Sequence, residues 1–281
     1  MTIAITGVTG QLGQHVVAAL RDMGRADDVV GIARSPEKAV DLGISIRKAD
    51  YEDLASLEAA FEGVATVLLI SSSEIGKRVA QHRNVIAAAE AAGVARVAYT
   101  SILHADTTPL MLGQEHRASE LSLIESGLAY TLLRNGWYTE NYAAGIPVAI
   151  QAGAFIGCAG TGRIASATRR DYAEAAAKVL TGEGHENRIY ELAGDTAYTR
   201  AEMAGEVSRL AGGEIPYHDL TQAGYAEALA SAGLPQVLCD LLADSDAGAA
   251  KGGLFGDERH LSQLIGRPTT PMAETVKAMM P

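Results

Sequence analysis

Short segments with strand character alternate along the first two thirds of the chain with longer segments whose apolar residues recur at helical spacing. Strands with few polar positions are typical of parallel sheets that helices cover on both faces. Their regular alternation with helical segments indicates repeated strand–helix–strand units. The pattern therefore predicts an α/β fold with a doubly wound parallel sheet. The segments that predict its strands are residues 3–5, 29–33, 44–47, 67–70, 96–101, 130–134 and 189–192.

The pattern weakens towards the C-terminus. Residues 1–150 predict the sheet core, with segments that return to it up to about residue 200, whereas residues 151–281 mainly predict a smaller α/β lobe. Beyond residue 214 we expect short strands to alternate with helices. No internal repeat or low-complexity linker separates the two parts. We therefore place the lobe over the carboxyl edge of the sheet.

The first strand leads directly into a glycine-rich turn. Glycines 7, 10 and 13 precede a helical pattern that is clear from Val16 onward. Gly7 allows a sharp turn, Gly10 allows the backbone to approach a pyrophosphate, and Gly13 allows the helix to pack on the strand. The start of the helix then offers free N–H groups to phosphates. The turn therefore predicts a dinucleotide site, and the alternative is a glycine-rich turn without a ligand.

The residue after the second strand indicates which dinucleotide binds. In NAD-binding folds an acidic residue at this position accepts hydrogen bonds from the ribose, whereas a nearby arginine accommodates a 2′-phosphate. This chain has Arg34 and no acid there, and Lys38 offers a second positive charge. A guanidinium matches the geometry of phosphate. We therefore expect NADP(H) rather than NAD(H), although a solvated arginine at the start of a loop is the alternative.

Hydroxyl groups follow the fourth predicted strand. Ser71, Ser72 and Ser73 stand at the carboxyl end of a central strand, where open α/β sheets bind ligands. We interpret them as lining the ribose and nicotinamide side of the cofactor, with a plain polar loop as the alternative.

The most distinctive segment follows the sixth predicted strand. Residues 134–142 hold the only tryptophan of the chain, two tyrosines and two asparagines. Aromatic rings beside amides suit a flat ring that is stacked next to a carboxamide. The alternative is that Trp137 and Tyr142 fasten the following helix to the core. Further on, Thr168 is a candidate helix cap. We expect Arg169 at the surface, and the alternative is that it reaches the cofactor or substrate.

The tyrosines argue against simple alcohol chemistry. Short-chain dehydrogenases usually carry Tyr-x-x-x-Lys, in which the lysine prepares the tyrosine for proton transfer. None of the ten tyrosines here is followed by lysine four residues later. An acceptor whose reduced anion is stabilised by conjugation, such as a quinone or a cationic dye, is therefore favoured. His104, His116 and Glu115 are candidates for relaying protons, although a lone histidine is more often a hydrogen-bonded structural residue.

Composition excludes several classes of protein. The chain has 281 residues and a net charge of −11, which disfavours nucleic acid and anionic membranes as partners. Its two cysteines, Cys158 and Cys239, indicate neither a disulfide framework nor a metal site. No apolar run is long enough for a membrane helix and no signal segment is evident, so we expect a cytoplasmic protein. No Walker lysine or nucleophile elbow occurs.

These motifs resemble the NmrA-like branch of the atypical short-chain dehydrogenases/reductases, and within it the NADPH:quinone oxidoreductases of the second type and the related triphenylmethane reductases. The glycine motif is common to many reductases. The runs Arg-Asn-Gly-Trp-Tyr at 134–138 and Lys-Gly-Gly-Leu-Phe at 251–255 are more specific. The resemblance extends over nearly the whole chain.

The resemblance implies a Rossmann-type domain that binds NADPH and transfers a hydride to a quinone or a similar conjugated acceptor such as a triphenylmethane or azo dye. It offers no matched catalytic acid, and Tyr138 and Asn141 are our choices for positioning the substrate ring. The alternative is a non-catalytic NADP(H) sensor that binds a protein partner. The sequence leaves open whether the protein forms a homodimer. The implied cofactor contacts are Thr6, Gly7, Val8, Thr9, Gly10, Gln11, Leu12, Arg34, Ser72, Ser73, Asn135, Gly136, Trp137, Tyr138, Thr139 and Glu140.

Overall fold

The computed structural model describes residues 1–281 and confirms the parallel α/β sheet. Seven strands lie in the order β3-β2-β1-β4-β5-β6-β8, and every pair of neighbours is parallel. The order reverses between β1 and β4, as in Rossmann-type folds, so a crevice opens at the carboxyl ends of these two strands. The strands are β1 (Ile3–Thr6), β2 (Val29–Ala33), β3 (Ser45–Lys48), β4 (Thr66–Leu69), β5 (Arg96–Ile102), β6 (Ala129–Asn135) and β8 (Arg188–Leu192).

Helices cover both faces of this sheet, which explains why its central strands have so few polar positions. On one face α1 (Gln11–Asp22) packs against α6 (Arg169–Thr181), and α6 packs against α10 (His260–Ile265). On the other face lie α2 (Leu54–Ala60), α3 (Arg78–Ala91) and α4 (Leu112–Glu125). Each face has its own apolar cluster, so the sheet is buried between two layers of helices.

A third apolar cluster lies in the C-terminal part of the chain, around buried residues such as Tyr142, Phe155 and Met203. A small parallel sheet pairs β7 (Phe155–Gly157) with β9 (Tyr217–Asp219). The helices of this part are α5 (Gly145–Ala152), α7 (Arg200–Ala211), α8 (Gln222–Ser231), α9 (Gln236–Ala250) and α11 (Met272–Met279).

The expected alternation of strands and helices beyond residue 214 is wrong. After β9 the chain forms only helices α8 to α11. Alanine is frequent in α8 and α9, and short alanine-rich stretches give weak periodicity although alanine has the highest helix propensity. One of these helices, α10, returns to the face of the central sheet against α6. None of the helices combines the length and the apolar character that crossing a membrane requires.

The start of α6 is confirmed as a capped end. The Thr168 side chain accepts a hydrogen bond from the Asp171 N–H, and Asp171 accepts one from the Thr168 N–H in return. This capping box satisfies two N–H groups that the helix cannot satisfy itself. Arg169 and the rest of the first turn of α6 are thereby fixed at the carboxyl edge of the sheet.

Candidate functional site

The turn after β1 has room for glycine alone at its most crowded position. A Cβ atom on Gly13 would lie 2.6 Å from the Gly7 carbonyl oxygen and 2.7 Å from the Val8 Cα atom. Gly7 has a φ of +59°, which glycine adopts without strain. Helix α1 begins five residues earlier than its apolar pattern suggested, with Gly10 as its N-cap and no side chain that caps it. Its first N–H groups therefore face the crevice unpaired, as an anion site requires.

Thr6, at the end of β1, supports this turn, and its hydroxyl is fully used in hydrogen bonds within the protein. Its Oγ1 donates to the Leu68 carbonyl oxygen over 3.1 Å and accepts from the Ile70 N–H over 3.0 Å. It also accepts a hydrogen bond from the Tyr51 hydroxyl. Because Val8 and Leu12 are buried as well, the side chains at these three positions set the shape of the turn, and only their backbone can contact a ligand.

Arg34 stands at the rim of the crevice and is bound to an acidic residue. Its side chain is 64% exposed, and its Nη1 donates to Glu74 Oε1 over 2.9 Å. The other carboxylate oxygen of Glu74 lies 3.6 Å from Lys77 Nζ. Lys38 is exposed nearby in sequence. The Arg34 guanidinium, which we expected to bind a 2′-phosphate, is therefore paired with the carboxylate of Glu74.

The segment after β4 is held by a buried histidine. The Ser72 N–H donates to His82 Nε2 over 3.0 Å, while His82 Nδ1 lies 2.9 Å from Ser119 Oγ. Burial, together with the positive charge of Arg78, lowers the pKa of His82 to about 3. The ring is therefore neutral, with its proton on Nδ1, because Nε2 accepts.

The serines after β4 are used in different ways. The Ser72 hydroxyl donates to Gln81 and accepts from the Glu74 N–H over 3.1 Å, so it organises the loop. The Ser71 N–H donates to Thr100 Oγ1 over 2.9 Å. Ser73 is exposed. Of the two predicted contacts, Ser73 has the more accessible side chain.

The loop after β6 presents the ring of Tyr138, which lies between two side chains. The ring meets Tyr172 edge-on with 5.2 Å between centroids, and the Arg169 guanidinium lies 4.7 Å above it. Asn135 Nδ2 donates to the Tyr138 hydroxyl over 3.2 Å. Burial raises the pKa of Tyr138, so the phenol stays protonated and is a weak acid at neutral pH. The ring is held firmly, which suits positioning better than proton transfer.

Arg169 was expected at the surface, and this expectation is wrong. Its side chain is only 16% exposed. It donates to Asn141 Oδ1 over 2.7 Å, and its backbone N–H donates to Glu140 Oε1 over 2.9 Å. The start of α6 thus holds the loop after β6 in place, and Arg169 belongs to the candidate site. The sequence showed only an Arg-Arg pair at a helix start, which usually marks a solvated face.

The remaining residues of this loop have different packing partners. Thr139 is buried, and its hydroxyl pairs with Ser166 over 2.7 Å. Tyr142 is buried in the C-terminal cluster beneath Arg200, whose guanidinium lies 4.3 Å from the ring. The alternative interpretation of Tyr142 as a fastening residue therefore fits the structure. Gly136 has no room for a Cβ atom, which would lie 3.0 Å from the Leu192 carbonyl oxygen.

Four buried polar atoms of this loop have no hydrogen-bond partner. They are Asn135 Oδ1, Trp137 Nε1, Tyr142 Oη and Glu140 Oε2, the last of which lies 3.7 Å from Arg169 Nη1. Since buried polar groups in folded proteins are nearly always hydrogen-bonded, unpaired atoms at such a place indicate where a ligand or water binds. An acceptor on Asn135 and a donor on Trp137 are complementary to a carboxamide.

A buried ion cluster ties together the ends of β5, β6 and β8. The Arg134 guanidinium binds both oxygens of Glu120, over 2.9 and 2.8 Å, and Glu191 Oε1 over 2.7 Å. Glu191 also accepts from the His104 N–H over 2.8 Å. Burial alone would lower the pKa of Arg134, but hydrogen bonds to the two carboxylates outweigh it and raise the pKa. The cluster fixes the backbone that precedes Asn135.

The three candidate proton relays differ in access. His116 is buried against the Tyr99 hydroxyl over 2.8 Å, and burial lowers its pKa well below the usual value. Glu115 binds Arg78 over 2.9 Å. His104 is 28% exposed, with its Nε2 donating to the Phe255 carbonyl oxygen over 3.0 Å. Only His104 keeps an accessible imidazole, and it lies beside the 251–255 run.

Known proteins share this architecture. The model of the NAD(P)H-binding family matches residues 7–183. The chain belongs to this family. It is 56% identical to quinone oxidoreductase 2 of Escherichia coli over 277 residues, which cover 98% of this chain and 97% of the relative.

Solved structures agree with this assignment. The crystal structure of the NADPH-dependent quinone oxidoreductase of E. coli in complex with NADPH superposes with a TM-score of 0.97 at 56% identity, covering 99% of both chains. The Citrobacter sp. triphenylmethane reductase in complex with NADP(H) gives a TM-score of 0.96 at 35% identity, covering 99% of this chain and 100% of the other. The resemblance inferred from the motifs is thus confirmed.

Proposed function

We propose that this protein is an NADPH-dependent reductase that transfers a hydride to a quinone or to a similar conjugated acceptor such as a triphenylmethane or azo dye. The observation that carries the proposal is the combination of an uncapped helix start at a glycine-only turn with a ring-bearing loop at the same edge of the sheet. The 56% identity to quinone oxidoreductase 2 of E. coli over nearly the full chain supports it.

The residues at the crevice fit NADPH. The backbone of Thr6 to Leu12 would hold the pyrophosphate, because the crowding around Gly13 brings the free N–H groups of α1 to the end of β1. Arg34 would bind the 2′-phosphate. The Ser72–Ser73 segment and the Asn135–Glu140 loop would flank the nicotinamide, where Asn135 Oδ1 and Trp137 Nε1 need partners.

When bound, NADPH supplies the hydride, and the protein's task is to align donor and acceptor. Tyr138 and Asn141 would position the substrate ring, both fastened by Arg169. Proximity and orientation alone accelerate a bimolecular step strongly. Hydride and one proton convert the quinone into its hydroquinone. Burial raises the pKa of Tyr138 and makes its phenol a poor proton donor, so we assign it a positioning role.

Three wider assignments belong to the same proposal. Residues 1–150, with returning segments up to about 200, form the cofactor core, and residues 151–281 mainly form the substrate-side lobe. Both cysteines are free and buried, which suits a cytoplasmic location. A homodimer remains a prediction.

The decisive experiment follows the near-ultraviolet absorbance of NADPH in the presence of purified protein. We expect a small benzoquinone to accelerate the loss of NADPH, a triphenylmethane dye to do so as well, and a simple aliphatic ketone to have no effect. A protein that binds NADPH yet oxidises it with none of several quinones and dyes would instead be the NADP(H) sensor.

A further inference from the structure

An ion pair crosses the dinucleotide crevice. Arg34 directly follows β2, and Glu74 lies in the segment after β4, while β1 lies between these two strands in the sheet. Their contact of 2.9 Å therefore passes over the carboxyl end of β1, where the glycine turn begins. Arg34 lies at the β2 rim of this groove, where the 2′-oxygen of the adenosine ribose would lie, so the pair meets the group that distinguishes NADPH from NADH.

We propose that Glu74 determines cofactor selectivity, because its carboxylate pairs with the Arg34 guanidinium and the 2′-phosphate of NADPH must displace it. This inference rests on the proposed NADPH site. Glu74 thereby reduces the affinity for every ligand that carries a 2′-phosphate. It does not reduce the affinity for NADH, which has no group that requires Arg34.

The exposure of the pair makes such an exchange feasible. The side chains of Arg34 and Glu74 are 64% and 33% exposed, and exposed ion pairs contribute little because water and salt screen them. A phosphate carries more negative charge than a carboxylate and binds a guanidinium through two oxygens. The phosphate is therefore the stronger partner of Arg34.

The released carboxylate has a second cation within reach. Glu74 Oε2 lies 3.6 Å from Lys77 Nζ, which also binds Glu52 over 2.8 Å. Repulsion by the bound phosphate would move the Glu74 side chain away from Arg34 and towards Lys77. The backbone of Glu74 stays in place, because its N–H donates to Ser72 Oγ over 3.1 Å. The exchange thus needs a rotation of one side chain and no movement of the loop.

Binding constants test this without any turnover. Isothermal titration calorimetry would compare the wild type with Glu74→Gln, using NADPH, NADH, 2′,5′-ADP and 5′-AMP as ligands. We expect Glu74→Gln to bind NADPH and 2′,5′-ADP about two- to fivefold more tightly, the scale of an exposed ion pair. The dissociation constants for NADH and 5′-AMP should stay the same.

Two further variants isolate the contact. Glu37→Gln removes an equal charge from an exposed residue three positions after Arg34 that does not pair with it. It should leave all four dissociation constants unchanged if contact rather than general charge is responsible. In an Arg34→Ala background, Glu74→Gln should no longer tighten NADPH, because the two residues act through one contact.

The outcomes separate this inference from the function on which it rests. Equal tightening of all four ligands would mean that Glu74 obstructs the groove for any nucleotide, and unchanged or weaker NADPH binding would mean that it does not compete. Either result overturns the inference while NADPH binding by the wild type stands. A wild type that binds neither NADPH nor 2′,5′-ADP would overturn both.

Discussion

The turn after β1 and the rim after β2 face the same crevice, but one is made of buried backbone and the other of exposed side chains. At the turn, Gly13 has no space for a Cβ atom and Val8 is fully buried. At the rim, Arg34 is 64% exposed and its partner is another surface residue. The backbone of the turn can bind any pyrophosphate, whereas the rim meets only the group that distinguishes NADPH from NADH. The affinity for the dinucleotide therefore depends on buried backbone, whereas the selectivity for NADPH depends on exposed side chains.

This difference has a consequence for mutation. The turn cannot change without disturbing the packing of α1 on β1, because the same atoms that bind the ligand also bring helix and strand together. The rim can change freely, because Arg34 supports nothing in the core. The loop after β6 lies between these extremes, since Tyr138 is packed but Asn141 is exposed.

The largest effect is expected at the turn. Gly13→Ala would place a Cβ atom within 2.6 Å of the Gly7 carbonyl oxygen, so we expect the free energy of unfolding to fall by about 1–3 kcal/mol. Titration with NADPH and NADH should show that both bind much more weakly. Gly205→Ala in α7 is the matched control, because no atom lies within 4 Å of its added Cβ. Unchanged nucleotide binding by Gly13→Ala would show that the turn does not form the cradle.

The loop after β6 should show an intermediate effect that depends on the ring rather than on the hydroxyl. Tyr138→Leu removes the surface on which Arg169 lies, and we expect kcat/KM for a benzoquinone to fall about tenfold. Tyr138→Phe keeps the ring and should stay within about threefold of the wild type. Steady-state kinetics with saturating NADPH measures both. If Tyr138→Phe were as impaired as Tyr138→Leu, the hydroxyl rather than the ring would be responsible.

A separate effect, on stability alone, concerns pH and the segment that carries Glu74. Because the pKa of His82 is about 3 in the folded protein and about 6.5 when unfolded, only the unfolded state gains a proton as the pH falls. Its contribution to stability is complete above about pH 6.5 and is lost between there and about pH 3. In His82→Gln the free energy of unfolding should fall less steeply with decreasing pH, by up to about 1.4 kcal/mol per pH unit. Thermal unfolding between pH 7 and 4 measures the slope. The exposed His218→Gln serves as a control, and equal slopes for His82→Gln and the wild type would contradict the account.

Most of the sheet could be predicted from the sequence because strands buried on both faces have few polar positions, as in β2 and β4. The glycine turn and Arg34 were also recognisable, since their chemistry depends on residues that are adjacent in sequence. The helices after β9 were harder to predict, because the alanines of α8 and α9 give weak hydrophobic periodicity. The true start of α1 at Gln11 was missed because its first turn has a single apolar side chain, Leu12, beside Gly13 and two glutamines.

The side-chain partners within the site could not be predicted. Glu74 lies 40 positions beyond Arg34, and Arg169 lies 28 positions beyond Asn141. Each pair forms because parallel strands bring distant segments to one edge of the sheet, so nothing local in the sequence signals it. His82 likewise resembled a helix residue without a role until its ring was seen to accept from Ser72.

The most direct test of this division is Arg34→Ala, assayed with NADPH and with NADH at a fixed concentration of the same benzoquinone. We predict that kcat/KM for NADPH falls about tenfold or more, because a charged hydrogen-bond partner of the 2′-phosphate is lost. For NADH, which the backbone of the turn holds alone, kcat/KM should stay within about twofold. An exposed arginine at the opposite edge of the sheet, as in Arg188→Ala at the start of β8, should alter neither. Equal losses with both cofactors would contradict the claim that the turn binds the dinucleotide and the rim selects it.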